Sequence, residues 1–469
     1  MTYSSTRGGD QDRSFDHVLL EGLARDGGLF IPNEFPTFSK TEIESFKTKP
    51  YQDIAHAIMF KFLDGWISAN DLTKLIDKAY SNFTHDEITP LKKLDDDLYC
   101  LELFHGPTLA FKDVALQLLG LLFEHSLSKK EVGKRTVLGA TSGDTGSAAI
   151  QGCRGLDYLN IVILHPHGRT SEIQRKQMTT VLDENVLNIA VEGSFDDCQN
   201  MVKQAFGDED FRDQFGLTAV NSINWARILS QIPYYFHASL RAKQAGKPLK
   251  VMVPTGNFGN ILAGYYAKKM GAPIDQLIAV TNENDSLFRF FQTGEMKTGV
   301  VTQTPSPSMD IQISSNFERF LYELLGHNSA LVSQSMSGLK TKGSYSVDQD
   351  KKAKFANIMK AYRCSNDDTE RTIKDIYERY DYMLDPHSAT GVYGVFKDKE
   401  IHEADDCTYI SLCCAHPAKF PDVIQKTLDQ VPDKPDFIAD LESKQERVEI
   451  LEADVSLLKE TISSKFAGK

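Results

Sequence analysis

The sequence predicts an α/β protein with two open, twisted, mostly parallel sheets covered by helices, a helical region before them and an amphipathic C-terminal helix. Strand-like runs alternate with helical segments from Leu98 onward, which is typical of parallel sheets with helical crossovers. Apolar residues recur at helix spacing before that point. A length of 469 residues, with 41% hydrophobic and 25% charged residues, predicts about two or three domains.

The first segment, residues 1–97, is predicted to be mainly helical. Apolar residues stand three or four positions apart between Ile54 and Phe62, and again between Leu72 and Ala79. This spacing places them on one face of a helix. The segment therefore contributes helices that pack on the rest of the protein.

Short apolar runs bounded by turn residues predict the strands of the sheets. They are Arg135–Leu138, Leu159–Leu164, Leu187–Val191, Lys250–Val253, Leu277–Val280 and Thr408–Leu412. We expect these runs to belong to two α/β domains, residues 98–240 and 241–430, which are able to exchange segments.

The last segment, residues 431–469, is predicted to be a helix with apolar positions from Leu441 to Ile462 at steps of mostly three or four residues. A dimerising coiled coil is the weaker alternative, because only some three heptads are present. The polar stretch at residues 340–354 predicts a surface loop.

The composition argues against several classes of function. Lys and Arg total 52 against 65 Asp and Glu, a net charge of −13, so we expect no nucleic-acid or membrane partner. The seven cysteines form no C-x-x-C pair and no zinc spacing, which predicts a reducing compartment and no metal. Met1 to Asp10 lacks the apolar core of a signal peptide, and no run approaches the roughly 20 apolar residues of a membrane span. We expect a cytoplasmic monomer or weak homo-oligomer.

Two glycine-rich segments follow directly on strand-like runs. They are ATSGDTGSAA at residues 140–149 and PTGNFGN at residues 254–260. Ligands of open α/β sheets bind beyond the carboxyl ends of strands, where helix N-termini present N–H groups to anions. Neither segment matches G-x-G-x-x-G or a P-loop. The second segment predicts a site for a single phosphate, although each loop alone is equally an ordinary tight turn.

Lys112 stands in the segment HGPTLAFKD, at the start of the apolar helix predicted at Val114 to Phe123. Desolvation at such a position lowers the pKa of a lysine and suits it to Schiff-base chemistry. Most lysines at helix starts are solvated surface charges, so this segment alone does not decide the role of Lys112.

Taken together, these segments resemble the threonine synthase family, specifically its fungal and bacterial branch. The likeness covers nearly the whole chain and includes YSSTRG and DGGLFIP near the N-terminus. The segments that follow in the order and approximate spacing of the family are HGPTLAFKDVALQ, GATSGDTGSAA, QMTTV, VNSINWARIL, VPTGNFGNILAGY, SSNFERFL, LDPHSATGVY and AHPAKF. The resemblance implies a fold type II enzyme, like tryptophan synthase β, that depends on pyridoxal 5′-phosphate (PLP). It also implies the final step of threonine biosynthesis, in which O-phospho-L-homoserine and water give L-threonine and phosphate by γ-elimination and β-addition of water.

The resemblance further implies which residues bind the cofactor. Lys112 is the implied catalytic residue and forms the Schiff base. The other implied cofactor-binding residues are Phe111, Asp144, Gly256, Asn257, Phe258, Gly259, Asn260 and Cys414. Many members of the family have Asp at the position of Asn260, so a role of that carboxylate is not expected here.

A second departure from the family is the pair Cys413-Cys414, where a Ser-Thr pair is usual. We predict that Cys414 takes the contact to the pyridine nitrogen, because a thiol is a small neutral group, although it is a weaker donor and acceptor than a hydroxyl. The alternative is that both cysteines pack in the core.

The substrate phosphate needs its own anion site, since the glycine loop takes the cofactor phosphate. Arginine suits such a site because it binds phosphate in a bidentate manner. The candidates for binding the substrate phosphate are Arg169, Ser171, Lys176, Asn224 and Arg227. The resemblance implies that the turn from Ser142 to Thr145 approaches the cofactor ring and the substrate carboxylate, so Ser142 and Thr145 are also predicted to bind substrate. His416 and Lys419 are expected beside the cofactor, although His416 is equally a candidate core histidine.

Three alternatives to this function stay open at this point. A threonine-synthase-like phospholyase shares the elimination but releases 2-oxobutyrate, ammonia and phosphate. A serine or threonine dehydratase shares the fold but gives no reason for a second phosphate site. A catalytically silent PLP-fold protein would bind or regulate, and Lys112 argues against it.

Overall fold

Two parallel sheets, each covered by helices, form the framework of the protein in a computed structural model, which describes residues 1–130, 133–141, 143–402 and 406–467. This architecture confirms the predicted α/β class. None of the helices in these ranges combines the length and apolar character that a membrane crossing requires.

The N-terminal segment is mainly helical, as predicted. Its helices α3 and α4 bury the apolar faces that include Ile54 and Leu72, and Ser68 caps α4 by accepting from the backbone N–H of Asp71. The small antiparallel sheet formed by Tyr3–Ser5 and Phe30–Pro32 was not predicted. The elements are β1 (Tyr3–Ser5), α1 (Phe15–Glu21), β2 (Phe30–Pro32), α2 (Lys40–Ser45), a 3-10 turn (Phe46–Thr48), α3 (Tyr51–Leu63) and α4 (Ala69–Tyr80).

Strands and helices alternate through the middle of the chain. These elements are β3 (Leu91–Lys93), β4 (Leu98–Glu102), α5 (Lys112–Ser128), β5 (Arg135–Ala140), α6 (Asp144–Cys153), β6 (Leu159–Pro166), α7 (Glu172–Thr179), β7 (Val186–Glu192), α8 (Phe195–Gly207), α9 (Glu209–Gln214), β8 (Leu217–Thr218), α10 (Trp225–Leu229), α11 (Ile232–Ala242) and β9 (Leu249–Pro254).

The same alternation continues to the C-terminus. The further helices and strands are α12 (Gly259–Lys269), β10 (Gln276–Thr281), α13 (Ser286–Thr293), β11 (Glu295–Lys297), α14 (Phe317–Leu324), α15 (Ser329–Lys342), β12 (Ser344–Ser346), α16 (Gln349–Ala356), β13 (Met359–Arg363), α17 (Asn366–Tyr380), α18 (Pro386–Ile401), β14 (Thr408–Cys413), α19 (Pro421–Leu428), α20 (Asp436–Ala439), β15 (Glu449–Glu452) and α21 (Val455–Phe466). The 3-10 turns are Pro307–Met309, Pro417–Lys419 and Asp440–Ser443.

Six of the described strands form one sheet, in the order β13-β10-β9-β14-β4-β3. Its neighbouring strands are parallel except for β3, which is antiparallel to β4. Five others form a fully parallel sheet, in the order β15-β7-β6-β5-β8. Every strand predicted from the sequence is present in one of these sheets, extended by one or two residues.

The chain exchanges segments between the two sheets. Strand β4 begins the predicted domain at residues 98–240, yet it pairs with β14 in the six-stranded sheet. Strand β15, near the C-terminus, pairs with β7 in the other sheet. The division into four segments stays a prediction, and the sheets depart from it at these two strands.

Two elements were predicted wrongly. The C-terminal helix is shorter than expected, because residues 440–443 form a 3-10 turn and β15 pairs with β7 through the register Leu451↔Val191. Among its described residues the segment forms α-helix only in the short α20 and in α21, whose Leu458 and Ile462 are buried against the five-stranded sheet. The polar stretch at residues 340–354 is not a loop, since it includes β12 and most of α16.

A close helix crossing connects the fold to the site. A Cβ atom added to Gly120 of α5 would lie 1.9 Å from the carbonyl oxygen of Gly152 in α6, and one added to Gly152 would lie 2.3 Å from the carbonyl oxygen of Leu116. Only glycine permits such a backbone approach. Because α5 begins at Lys112 and α6 begins at Asp144, this crossing fixes the separation of two predicted site residues.

We predict that Gly120→Ala lowers the stability of the protein by roughly 1 to 3 kcal/mol or more, because the two helices have to separate to accept the methyl group. Thermal unfolding of the full-length chain measures this effect. Gly207→Ala at the end of α8 is the matched control, since a Cβ there meets nothing within 4 Å. Equal unfolding temperatures for the two variants would contradict the importance of the crossing.

Candidate active site

Lys112 lies buried at the first position of α5, where three chain segments meet. Its Nζ is 3.3 Å from Oδ2 of Asp144 and 3.2 Å from Oγ of Ser308. Asp144 is the first residue of α6, and Ser308 lies in the 3-10 turn Pro307–Met309. The fold thus gathers a lysine, a carboxylate and a hydroxyl from distant parts of the sequence.

The loop before Lys112 is held in place by its own hydrogen bonds. The backbone N–H and the hydroxyl of Thr108 each donate to a different carboxylate oxygen of Asp113, both at 2.8 Å. The N–H of Phe111 donates to the carbonyl of Cys414, and the N–H of His416 donates to the carbonyl of Leu109. These contacts fix Lys112 against the end of β14.

Asp144 accepts hydrogen bonds from three other residues of the cluster. Nζ of Lys419 lies 2.7 Å from its Oδ1, Nε2 of Gln174 donates to the same oxygen at 2.9 Å, and Lys112 contacts Oδ2. Burial alone would raise the pKa of Asp144, but the ammonium groups of Lys419 and Lys112 outweigh burial and lower it. Asp144 is therefore ionised at neutral pH.

Burial is also the main reason why the pKa of Lys112 is lowered. The carboxylate of Asp144 opposes this change, while the positive charges of Lys419 and Arg227 reinforce it. A lysine with a lowered pKa has a larger fraction of free amine near neutral pH, which a nucleophile or a general base requires.

Arg227 of α10 adds a second buried cation near the lysines. Its Nη1 donates to the carbonyl of Val220 at 3.0 Å, and its buried Nε has no partner within the described ranges. Burial lowers its pKa to about 10, so the guanidinium stays charged at neutral pH. Among the described residues Arg227 forms no ion pair, unlike Lys419, which pairs with Asp144, so the positive charge of Arg227 is available to an anionic ligand.

The glycine loop forms a cradle at the start of α12. A Cβ on Gly256 would lie 2.9 Å from the carbonyl oxygen of Ser308. Phe258 has a left-handed φ of 64° and stands at the N-cap of α12, which begins at Gly259. A phenyl ring is no hydrogen-bond acceptor, so the N–H groups of the first helical turn are left for an external acceptor such as a phosphate. The predicted residue Asn257 adjoins this cradle, and its Oδ1 accepts from the hydroxyl of Ser315.

Asn260 presents a buried donor at the same helix end. Its Oδ1 accepts from the hydroxyls of Tyr234 and Tyr235. Its Nδ2 is buried and has no partner among the described residues. A buried donor without an acceptor costs roughly 1 to 3 kcal/mol, so this amide fits a bound anion. An aspartate at this position would offer an acceptor instead of a donor.

The two cysteines at the end of β14 have different surroundings. Cys413 packs with Cys100 in an apolar cluster. Cys414 is buried near Lys112. Burial raises the pKa of its thiol, and the positive charge of Lys112 offsets only part of this rise, so the thiol is neutral. The contact of Cys414 with the cofactor stays a prediction.

Phe111 and Thr145 both adjoin the lysine cluster. The ring centroid of Phe111 lies 5.2 Å from Nζ of Lys112. Thr145 is half-buried at the second position of α6, next to Asp144. Ser142, which was predicted to bind substrate, lies outside the described residues.

The predicted residues before α7 lie at the edge of the site. Arg169 and Ser171 are exposed, and Ser171 caps α7 by accepting from the N–H of Gln174. Gln174 in turn contacts Asp144. Ser171 is therefore linked to the cluster through α7, and Arg169 lies two residues before it in the chain. Lys176 instead contacts the side chain of Glu172 and the carbonyl of Glu442.

The side chain of Asn224 holds the start of α10 in place. Its Oδ1 accepts from the N–H of Ala226 and caps α10, and its Nδ2 donates to the carbonyl of Leu19. It also holds Arg227, whose N–H donates to the carbonyl of Asn224. Asn224 thus positions Arg227, while its own contact with substrate stays a prediction.

The sequence interpretation missed a buried chain of groups behind Ser308. The N–H of Ser308 donates to Nε2 of His387 at 3.2 Å, and Nδ1 of His387 lies 2.9 Å from Oδ1 of Asp385. Asp385 also caps α18. The dipeptide Asp385-Pro386 was a sequence signal for the start of α18 and its cap. The polar stretch around Ser308 gave no signal that Ser308 lies close to Lys112.

The fold and the site define a class of protein, the PLP-dependent enzymes of fold type II, and residues 83–412 match the family described as pyridoxal-phosphate dependent enzyme. Residues 2–80 match the threonine synthase N terminus, and residues 388–462 match the threonine synthase C-terminal family. The chain belongs to the threonine synthase family. The predicted family, fold type, cofactor and PLP-dependent lyase class are thereby confirmed.

Individual relatives match over nearly the full chain. Threonine synthase from Pseudomonas aeruginosa is 45% identical over 99% of this chain and 98% of its own length. Threonine synthase from Schizosaccharomyces pombe is 48% identical over 92% of this chain and 90% of its own. The crystal structure of PLP-bound threonine synthase from Brucella melitensis is 43% identical, covers 100% of both chains and has a TM-score of 0.96.

We predict that Gly256→Ala weakens PLP binding about tenfold or more, because the new methyl group would collide with the carbonyl of Ser308 and narrow the cradle. Absorbance titration of the cofactor-free, full-length chain with PLP measures the affinity. Gly139→Ala in β5 is the control, since its Cβ would make only an ordinary contact of 3.5 Å with Ile163. An unchanged affinity in the Gly256 variant would contradict the cradle.

Proposed function

We propose that the cluster around Lys112 carries out the threonine synthase reaction, in which O-phospho-L-homoserine and water give L-threonine and phosphate. The observation that carries this proposal is the buried Lys112 amine, held 3.3 Å from Asp144 and 3.2 Å from Ser308 beside two further cations and the glycine cradle. Bound PLP supplies the electron sink that acidifies the C–H bonds of the substrate. The residues of this chain bind, orient and move protons.

Lys112 has two tasks in this proposal. In this role its Nζ would bind the aldehyde carbon of the cofactor. Once the substrate amine had displaced it, the free amine would accept the α proton, return that proton at the aldehyde carbon, and then accept the β proton. Its lowered pKa supports both tasks, because only the free amine reacts. Asp144 and Ser308 hold Nζ in place between the steps.

Two anion sites separate the two phosphates. The loop formed by Gly256, Asn257, Phe258, Gly259 and Asn260 holds the cofactor phosphate through backbone N–H groups and the free Nδ2 of Asn260. The substrate phosphate is bound by Arg227 from within and by Arg169 and Ser171 at the start of α7. Thr145 is assigned to the substrate carboxylate together with Ser142, which lies outside the described residues. The neutral thiol of Cys414 would contact the pyridine nitrogen of the cofactor.

We further propose that the protein acts in the cytoplasm as a monomer or weak homo-oligomer, without nucleic-acid or membrane partners. The net charge of −13 supports this proposal. We also propose that the chain is divided into four segments, residues 1–97, 98–240, 241–430 and 431–469. Strand β4 then belongs to the sheet of the third segment, and β15 belongs to the sheet of the second.

The function is tested by incubating the holoenzyme with O-phospho-L-homoserine and quantifying phosphate, L-threonine and 2-oxobutyrate together. We expect threonine and phosphate in equal amounts, because water replaces the phosphate that leaves. Lys112→Ala is expected to form neither product. Phosphate accompanied by 2-oxobutyrate would contradict the proposal and favour a phospholyase.

A second test concerns the substrate phosphate. We predict that Arg169→Ala raises KM for O-phospho-L-homoserine about tenfold or more, because a charge-assisted contact to phosphate is lost, while the affinity for PLP is unchanged. Arg212→Ala, which removes a partly exposed arginine of α9 paired with Asp213, is the matched control. A KM equal to that of the control would exclude Arg169 from the phosphate site.

A further inference from the structure

Lys419 is a second buried lysine on the carboxylate that Lys112 contacts. Its side chain is 0% exposed, and its Nζ lies 2.7 Å from Oδ1 of Asp144. The same Nζ donates to the carbonyl of Thr108 at 2.7 Å. Lys112 reaches the other oxygen, Oδ2, at the longer distance of 3.3 Å. One carboxylate is therefore shared by two ammonium groups, and Lys419 is its closer partner.

We propose that Lys419 is a positioning residue for Lys112: by occupying one oxygen of Asp144, it prevents Lys112 from pairing with the whole carboxylate and so releases the Lys112 amine as a free base. This inference rests on the proposed role of Lys112. It assigns to Lys419 a function in the reaction without contact to the reacting atoms.

The position of Lys419 is fixed from two sides. It ends the 3-10 turn Pro417–Lys419, which His416 caps by accepting from the N–H of Ala418. The Thr108 carbonyl that it contacts belongs to the loop before Lys112. Because that loop is itself clamped to Asp113, Lys419 cannot follow Asp144 toward Lys112 without breaking the contact to Thr108.

The charges around Lys112 agree with this role. Asp144 raises its pKa, whereas Lys419 and Arg227 lower it in addition to burial. The thiol of Cys414 is neutral, and the Asp385–His387 pair lies behind Ser308. Removing Lys419 would leave Asp144 to Lys112 alone, so loss of repulsion and gain of pairing both act to raise the pKa of Lys112.

The surrounding hydrogen bonds allow Lys419 to be replaced without leaving an acceptor unsatisfied. Oδ1 of Asp144 keeps the hydrogen bond from Gln174. The carbonyl of Thr108 keeps the hydrogen bond from Nε2 of Gln177 at 3.1 Å. Methionine has a similar length and no charge, so Lys419→Met is the appropriate variant.

The test is competitive labelling of Lys112 with an amine-reactive anhydride across pH, in the cofactor-free, full-length chain, read by mass spectrometry. We expect Lys419→Met to raise the pKa of Lys112 by about one unit or more, which lowers its labelling rate near neutral pH about tenfold. In the holoenzyme, the acid limb of kcat is expected to move to higher pH by a similar amount, because kcat reports the enzyme–substrate complex, in which the Lys112 amine is free. An unchanged labelling profile in a folded Lys419→Met protein would overturn the proposal.

A double variant separates charge from packing. In Lys419→Met combined with Asp144→Asn, the carboxylate that raises the pKa of Lys112 is lost, while burial and the cation of Arg227 still lower it. We therefore expect the pKa of Lys112 to fall below the wild-type value. A rise as large as in the single variant would overturn the proposal, because the effect would not depend on the carboxylate.

Lys250→Met is the matched control, since Lys250 forms another buried pair with Asp398 at 2.7 Å, away from the site. It is expected to lower the unfolding temperature and to leave the labelling of Lys112 unchanged. A shift equal to that of Lys419→Met would show that loss of a buried pair is sufficient and would overturn the proposal. The labelling profile does not depend on turnover, so it tests the role of Lys419 alone. If Lys112 were not the lysine that binds the cofactor, the Lys112→Ala variant would retain activity, which is a separate observation.

Discussion

The carboxylate of Asp144 is the group on which the arrangement of the site depends. It receives Lys112 from α5, Gln174 from α7 and Lys419 from the turn after β14. Desolvating these charges is costly, and the cost is offset only while all partners are in place. The cluster therefore specifies one relative placement of three segments that are far apart in the chain. The buried guanidinium of Arg227 beside this cluster also favours an anionic ligand.

The backbone supports this arrangement at a larger scale. The crossing of Gly120 and Gly152 fixes how closely α5 and α6 approach, and both helices begin at residues of the cluster. Because β4 belongs to the six-stranded sheet, the chain leads from that sheet to Lys112. Strand β14 of the same sheet ends at Cys413, next to Cys414. The N–H of Phe111 donates to the carbonyl of Cys414. The site is thus built at the meeting of two sheets, with each sheet supplying charged or polar groups at the ends of its strands.

Much of this structure was predictable from the sequence, because strands and helices with a buried face have a period that can be read. The runs around Val137, Ile161 and Val251 are nearly all apolar, as parallel strands buried on both faces must be. The resemblance supplied Lys112 and the glycine loop. The C-terminal strand β15 was missed because Leu451 fits a helical spacing equally well. These residues form a strand because they pair with the edge of β7, which the local sequence does not reveal. The contact of Ser308 with Lys112 and the pairing of Lys419 with Asp144 could not be predicted, since contacts between distant segments leave no local pattern in the sequence.

Strand β15 has a consequence for the edge of the five-stranded sheet. Without it, the mostly apolar β7 would present a row of open N–H and C=O groups, which is a template for self-association. Strand β15 covers that row and presents exposed glutamates, Glu449 and Glu452, at the new edge, while the opposite edge strand β8 is only two residues long. During synthesis the edge of β7 stays open until some 250 further residues have been made, as a rough difference between positions 192 and 449. The last part of the chain thus covers this edge only once it has been made, and until then the nascent chain is open to self-association through β7.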